Sequence, residues 1–110
     1  MVEGSGYENI TARSLKARLD AGDTPVLLDV REPWEFELAR IDGSKLIPMS
    51  ELGERLAELD PGAETVVICH HGNRSSYVTQ ALQGVGFERV FNLEGGLDAY
   101  SYVDESVPQY

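Results

Sequence analysis

Apolar residues are spaced along the chain in two rhythms. Residues 26–30 are apolar apart from Asp29, and residues 65–69 are β-branched up to a closing cysteine. Short runs without polar alternation predict strands buried on both faces. Elsewhere the period lengthens to that of a helix. Leu15 and Leu19 share a face of a helix that Thr11 can cap and Gly22 can stop. Leu52, Leu56 and Leu59 stripe another, begun by Ser50 and ended by Pro61 and Gly62. A short helix with Pro33 in its first position follows the strand at 26–30, and 46–48 reads as a brief strand. Residues 75–83 have helical period with Val78 and Leu82 inward, 89–92 reads as a strand, and 96–102 as a last helix. With a short apolar start around Ile10, strands alternate with helices over tight connections. That order predicts an α/β fold: a central, mostly parallel sheet with helices on both faces.

Neither repeats nor a linker interrupt this pattern, and 110 residues are too few for two ordinary domains. A single domain over 1–110 is expected, its core at about 8–103 and a polar tail at 104–110. An apolar fraction of 42% with 25% charged residues is that of a folded globular chain, and no apolar run reaches the roughly 20 residues that span a bilayer. The first residues, MVEGSGYENI, are polar and acidic where a secretory signal would be basic and then apolar, so a cytoplasmic location is expected. A net charge of -10 disfavours nucleic acid or an anionic membrane surface as a partner and suits a basic protein better. Much of that charge is what solubility alone would ask for.

One cysteine cannot form an internal disulfide, and no paired Cys/His spacing of a structural metal site is present. By itself a lone cysteine in an apolar strand reads as packing. Its place in the chain changes that reading. Cys69 closes a buried strand at the carboxyl edge of the sheet, where ligands of such folds bind, and opens the turn His70-His71-Gly72-Asn73-Arg74-Ser75. Successive inward N–H groups of such a turn form a nest for an anion, and the helix that begins near Ser75 adds the positive end of its dipole. Gly72 lets the backbone curl without a Cβ, Arg74 brings a permanent cation with forked donors, and the histidines can donate hydrogen bonds. A nucleophilic thiolate in an anion pocket is the chemistry this arrangement points to.

The stretch CHHGNRSS resembles the active-site loop of single-domain rhodaneses: Cys, two variable residues, Gly, one variable residue, then often Arg and Ser. LLDVREPWEFELARIDGSKLIPM resembles that family's first conserved block and GFERVFNLEGGLDAY its last, in the same order across nearly the whole chain. The pattern departs from the family at Ala39-Arg40-Ile41-Asp42-Gly43-Ser44, where a Gly-His-Ile-x-Gly-Ala sequence is common, and at Tyr100, where a Trp is frequent. The resemblance implies a three-layer rhodanese-like fold with a five-stranded sheet. It implies a sulfurtransferase in which Cys69 takes the outer sulfur of a donor such as thiosulfate, holds it as a persulfide and yields it to cyanide, a thiol or a protein. No cofactor and no metal belong to that scheme. The backbone from His70 to Ser75 would cradle the sulfur, Arg74 and His71 would meet the donor's oxygens, and Asp29 and Arg31 would brace the pocket, as a structural ion pair sooner than as substrate contacts. Trp34 and Phe36 would line the pocket wall or lie in the core. With no second cysteine to resolve the persulfide, the acceptor comes from outside the chain, as a small thiol or as a basic or thiol-containing protein.

Two other classes compete. Related folds serve as non-catalytic docking modules, although the cysteine and its cationic loop weigh against that use here. Cysteine phosphatases and arsenate reductases also hold a thiolate in a ring of amides, but they place one more residue between Cys and Arg than the four that separate Cys69 from Arg74. The smaller loop suits a single sulfur better than a phosphoryl group.

Overall fold

The computed structural model describes residues 7–110. Residues 1–6, which the sequence reading includes in the single domain, lie outside the described residues. The elements follow in the order β1 (Glu8–Ile10), α1 (Ala12–Asp20), β2 (Val26–Asp29), α2 (Pro33–Leu38), β3 (Lys45–Leu46), α3 (Leu52–Arg55), β4 (Thr65–Ile68), α4 (Asn73–Gly84), β5 (Val90–Leu93) and α5 (Gly96–Ser101). All five strands are parallel, in the order β1-β5-β4-β2-β3, so the strand that ends at Cys69 is the central one.

Alternation along the strands divides the core in two. Leu27, Val66, Ile68 and Leu93 face α1 and α5, where they pack with Leu15, Leu97 and Tyr100. Leu28, Val30, Val67 and Cys69 face the other way, onto Leu52 of α3 and Val78 and Leu82 of α4. Each face is covered by helices, which is why β2 and β4 carry almost no polar side chains.

Local signals set most boundaries. The Thr11 hydroxyl accepts the Ser14 N–H at 3.0 Å and starts α1, and Gly22, at φ +95°, follows its last turn. The stripe of Leu52, Leu56 and Leu59 does not make one regular helix. It is split into the 3-10 turns Met49–Glu51 and Leu56–Glu58 around four α-helical residues. Of the three only Leu52 is buried, and Gly53 weakens the centre, so little packing repays a longer helix. The strand expected at 46–48 is instead Lys45–Leu46, and α4 begins two residues earlier than its apolar period suggests.

Residues 104–110 do not hang free. Val107 is buried in the α1/α5 core, which brings Tyr110 back to α2. No helix among the described residues is long and apolar enough to cross a membrane.

Candidate active site

β4 delivers Cys69 to the carboxyl edge of the sheet, and its side chain points towards the α4 face with the residue 1% exposed. The Gly72 N–H donates to Cys69 Sγ at 3.0 Å and the Ser75 N–H at 3.3 Å, with the Ser75 hydroxyl also 3.3 Å away. That hydroxyl has one proton and two acceptors, Sγ and the Asn92 Oδ1, so the backbone amides are the permanent donors. Asn92 comes from β5 and is itself held by Asn9 of β1, to whose Oδ1 its Nδ2 donates at 3.0 Å.

The loop curls this way because two chain segments press together without side chains between them. Gly72 caps α4 at φ +100°, a conformation that L side chains rarely adopt. The Cys69 carbonyl accepts the Leu97 N–H at 2.8 Å and the His70 carbonyl accepts the Asp98 N–H at 3.0 Å. These carbonyls face α5, while the N–H groups of Gly72 and Ser75 turn towards the sulfur. Gly96 makes the approach possible: a Cβ there would lie 2.4 Å from the His70 oxygen and 2.5 Å from the Cys69 oxygen.

Residues 11–102 match the family model of the Rhodanese-like domain. The chain belongs to the rhodanese-like family. It is 42% identical over 93 residues to the Arabidopsis thaliana Rhodanese-like/PpiC domain-containing protein 12, chloroplastic, an alignment covering 80% of this chain and 31% of that protein. It is 35% identical over 75 residues to the Thiosulfate sulfurtransferase GlpE of Ectopseudomonas mendocina, covering 68% of this chain and 69% of GlpE. A rhodanese-related protein from Thermoplasma volcanium superposes with a TM-score of 0.82 at 34% identity, over 94% of this chain and all of that one. The chain thus spans about a third of the plant protein's length, and its fold is the rhodanese fold.

Within this rhodanese-like domain the residues expected from sequence take distinct places. Arg74 leans over the first turn of α4 onto α2, its Nη1 and Nη2 donating to Glu35 Oε1 and Oε2 at 2.8 and 2.9 Å, with its side chain 38% exposed. Asp29 and Arg31 form a fully buried ion pair, with Arg31 Nη2 2.7 Å from Asp29 Oδ2 and 2.6 Å from the Ala39 carbonyl. Removing either partner would strand a buried charge, at a cost of roughly 3–5 kcal/mol. His70 is half-buried between the rings of His71 and Tyr110, at centroid distances of 4.0 and 4.2 Å. Burial, and secondarily the neighbouring His71, push its pKa below the ordinary histidine value, which favours the neutral imidazole. His71 is exposed, with Nε2 4.0 Å from Asp98 Oδ2, and Asn73 is exposed at the start of α4. The ligand atoms of His70, His71 and Asp98 lie within 4.8 Å of one another. As arranged, the two imidazoles are tilted against each other at 45° beside a carboxylate. Trp34 is not core: it is 61% exposed, because α2 turns Glu35, not its aromatic neighbour, inward. Phe36 is half-buried under the Arg40 guanidinium.

Four residues that complete the site were not singled out from sequence. Glu35, Asn92 and Gly96 lie within the blocks that carry the family resemblance, and Asn92 and Glu35 are polar residues on buried positions of apolar elements, which is a readable signal. Tyr110 left none. Glu35 accepts four hydrogen bonds, two from Arg74, one from the Glu32 N–H and one from the Tyr110 hydroxyl. The Arg74 pair is the largest influence and holds the carboxyl down to about 2 against burial, which acts the other way. A depressed carboxyl contributes stability above its ordinary value of 4.5 and loses it as pH falls towards about 2. Urea unfolding of the wild type and Glu35→Gln should therefore show a stability gap at pH 7 that narrows steadily below about pH 4.5. An unchanged gap at pH 3 would mean that the Arg74 pair does not stabilise the fold through the charge of Glu35.

Proposed function

We propose that this domain moves sulfane sulfur from thiosulfate or a persulfide donor to a thiophilic acceptor through a persulfide on Cys69. The observation that carries this reading is the convergence of the Gly72 and Ser75 amides and the Ser75 hydroxyl on one sulfur. Fixed donors aimed at a sulfur stabilise an anion there without reorganisation when charge develops.

The step balances without any external oxidant. The Cys69 thiolate attacks the outer sulfur of thiosulfate; the S–S bond breaks and its electron pair leaves with sulfite. Cys69 then carries a terminal sulfur as the persulfide anion. An incoming nucleophile, such as cyanide, a thiolate or a protein thiolate, bonds to that sulfur, and the thiolate of Cys69 is restored. The amide ring around Sγ, prolonged by the first turn of α4, supports the negative charge as it moves from one sulfur to the next. Arg74, at the mouth of the loop, offers the donor's oxygens a permanent cation that Glu35 holds by two hydrogen bonds. Because Cys69 is the only cysteine, the second half-reaction needs an acceptor from outside, and the strongly acidic chain favours a basic one. GlpE, which the chain matches over most of both lengths, carries the name thiosulfate sulfurtransferase, which supports thiosulfate as the first donor to try.

Intact-mass measurement after incubation with thiosulfate should show the addition of one sulfur, removed again by cyanide with release of thiocyanate. A protein whose mass does not change, at any donor concentration, would sink the proposal.

A further inference from the structure

The fold of a rhodanese-like domain does not by itself account for Tyr110, yet this side chain is tied into the site at five points. Its ring lies 4.2 Å from that of His70 and edge-on to Trp34 at 6.3 Å, with the Arg31 guanidinium 5.4 Å from the ring centre. Its hydroxyl accepts from Arg31 Nη1 at 2.9 Å and donates to Glu35 Oε2 at 2.8 Å. A phenol can both accept and donate, so this oxygen joins two ion pairs that the sequence keeps apart. One is the buried Asp29–Arg31 pair beyond β2; the other is the Glu35–Arg74 pair that spans from α2 to the cysteine loop.

We infer that Tyr110 is a positioning residue for the anionic sulfur donor: its hydroxyl fixes Glu35, and Glu35 in turn holds the guanidinium fork of Arg74 at the mouth of the Cys69 loop. The inference rests on the anion-binding reading of that loop. Glu35 Oε1 is anchored by the Glu32 N–H as well as by Arg74, whereas Oε2 depends on Arg74 and Tyr110. Without the hydroxyl, Oε2 is held only by a side chain that is itself 38% exposed. Arg31 Nη1 would also lose the better of its two acceptors, leaving the Glu35 carbonyl at 3.3 Å. The fork of Arg74 then keeps its charge but loses its fixed direction.

The test compares Tyr110→Phe, which keeps the ring, with the wild type in two assays. In thiosulfate turnover, Tyr110→Phe should lower kcat/KM about fivefold through KM, with kcat held within about twofold, as expected for the loss of one charge-assisted hydrogen bond. The second assay needs no sulfur transfer. The ratio of Cys69 alkylation rates with iodoacetate and iodoacetamide, an anionic and a neutral reagent, should fall by a similar factor. In the double variant Tyr110→Phe with Arg74→Ala, that ratio should fall no further than in Arg74→Ala alone, because the tyrosine acts through the arginine. An unchanged ratio in Tyr110→Phe overturns the inference, as does an equal acceleration of both reagents, which would mark a loosened fold. If the ratio shifts as expected while the wild type takes no sulfur from thiosulfate, the positioning role stands and the sulfur-transfer reading falls.

Discussion

Replacing Cys69 by serine is expected to end sulfur loading while leaving the protein folded. Serine keeps a small polar atom within the reach of the Gly72 and Ser75 N–H groups, so the loop retains an acceptor for its inward donors. The residue is 1% exposed and fits among Val67, Val78 and their neighbours, where an oxygen in place of sulfur leaves a slight gap and no unpartnered group. The melting temperature should shift by no more than roughly 5 °C, about 1 kcal/mol in a domain of this size. Chemistry is affected far more. An alcohol at neutral pH is neither ionised nor able to carry a sulfane sulfur as a stable anion, so turnover should drop at least about a thousandfold, to what the solvent reaction supplies. Thiocyanate formation and intact mass after thiosulfate treatment would measure both. A serine variant that still gained sulfur would place the carrier atom elsewhere than Cys69.

The second large effect is expected at a glycine behind the loop. Gly96→Ala places a methyl group 2.4 Å from the His70 carbonyl oxygen and 2.5 Å from that of Cys69, at a φ of +63°. These are backbone atoms, and they are hydrogen-bonded to the Asp98 and Leu97 amides of the same helix, so neither side can yield without moving the cysteine loop. A loss of roughly 3–5 kcal/mol is expected, the range reached by overpacking at a rigid site combined with backbone strain. Gly22→Ala provides the comparison. Its φ is +95° but nothing lies within 4 Å of the new Cβ, so it should cost only the roughly 1–2 kcal/mol of a left-handed residue. Chemical denaturation of the two variants would separate close packing from dihedral strain. If Gly96→Ala were no less stable than Gly22→Ala, the approach of α5 to the loop could not be what shapes the pocket. Where Gly96→Ala does fold, its alkylation rate should be altered too, since the displaced carbonyls belong to the residues that begin the sulfur's cradle.

Both variants touch features with unequal visibility in the sequence. The cysteine loop is local: six consecutive residues follow a β-branched strand, and a glycine in their midst and a helical period after them are enough to suggest inward amides around a thiol. The loop is nevertheless more selective than that reading, since among the described residues the Gly72 and Ser75 amides are the ones bonded to Sγ. Which amides face the sulfur depends on the way α5 docks behind the loop. Gly96 lies 27 residues along the chain from Cys69, and its close approach to the Cys69 carbonyl has no local signature beyond the glycine itself.

Arg74 shows the same division. Its presence beside the thiol and its permanent charge follow from residue type and spacing, but its direction is set by Glu35, 39 residues away, and through Glu35 by Tyr110. The closing residues 104–110 read as a polar tail because only Val107 among them is aliphatic and no period is present. One buried valine and one bifunctional hydroxyl dock them, contacts that a pattern search over neighbouring positions does not detect.

By itself, then, the amino-acid order determined the alternation of buried strands and amphipathic helices, the starts of two helices at Thr11 and Pro33, and a thiol set at the carboxyl end of a buried strand, because each of these depends on residues within a turn or two of one another. Tertiary structure alone decided the strand order β1-β5-β4-β2-β3, the close approach of Gly96 to the Cys69 and His70 carbonyls, and the chain of hydrogen bonds from Asp29 through Arg31, Tyr110 and Glu35 to Arg74. Those features join groups distant in sequence, whose pairing is fixed only when burial removes water and obliges every polar atom to find a partner inside the protein.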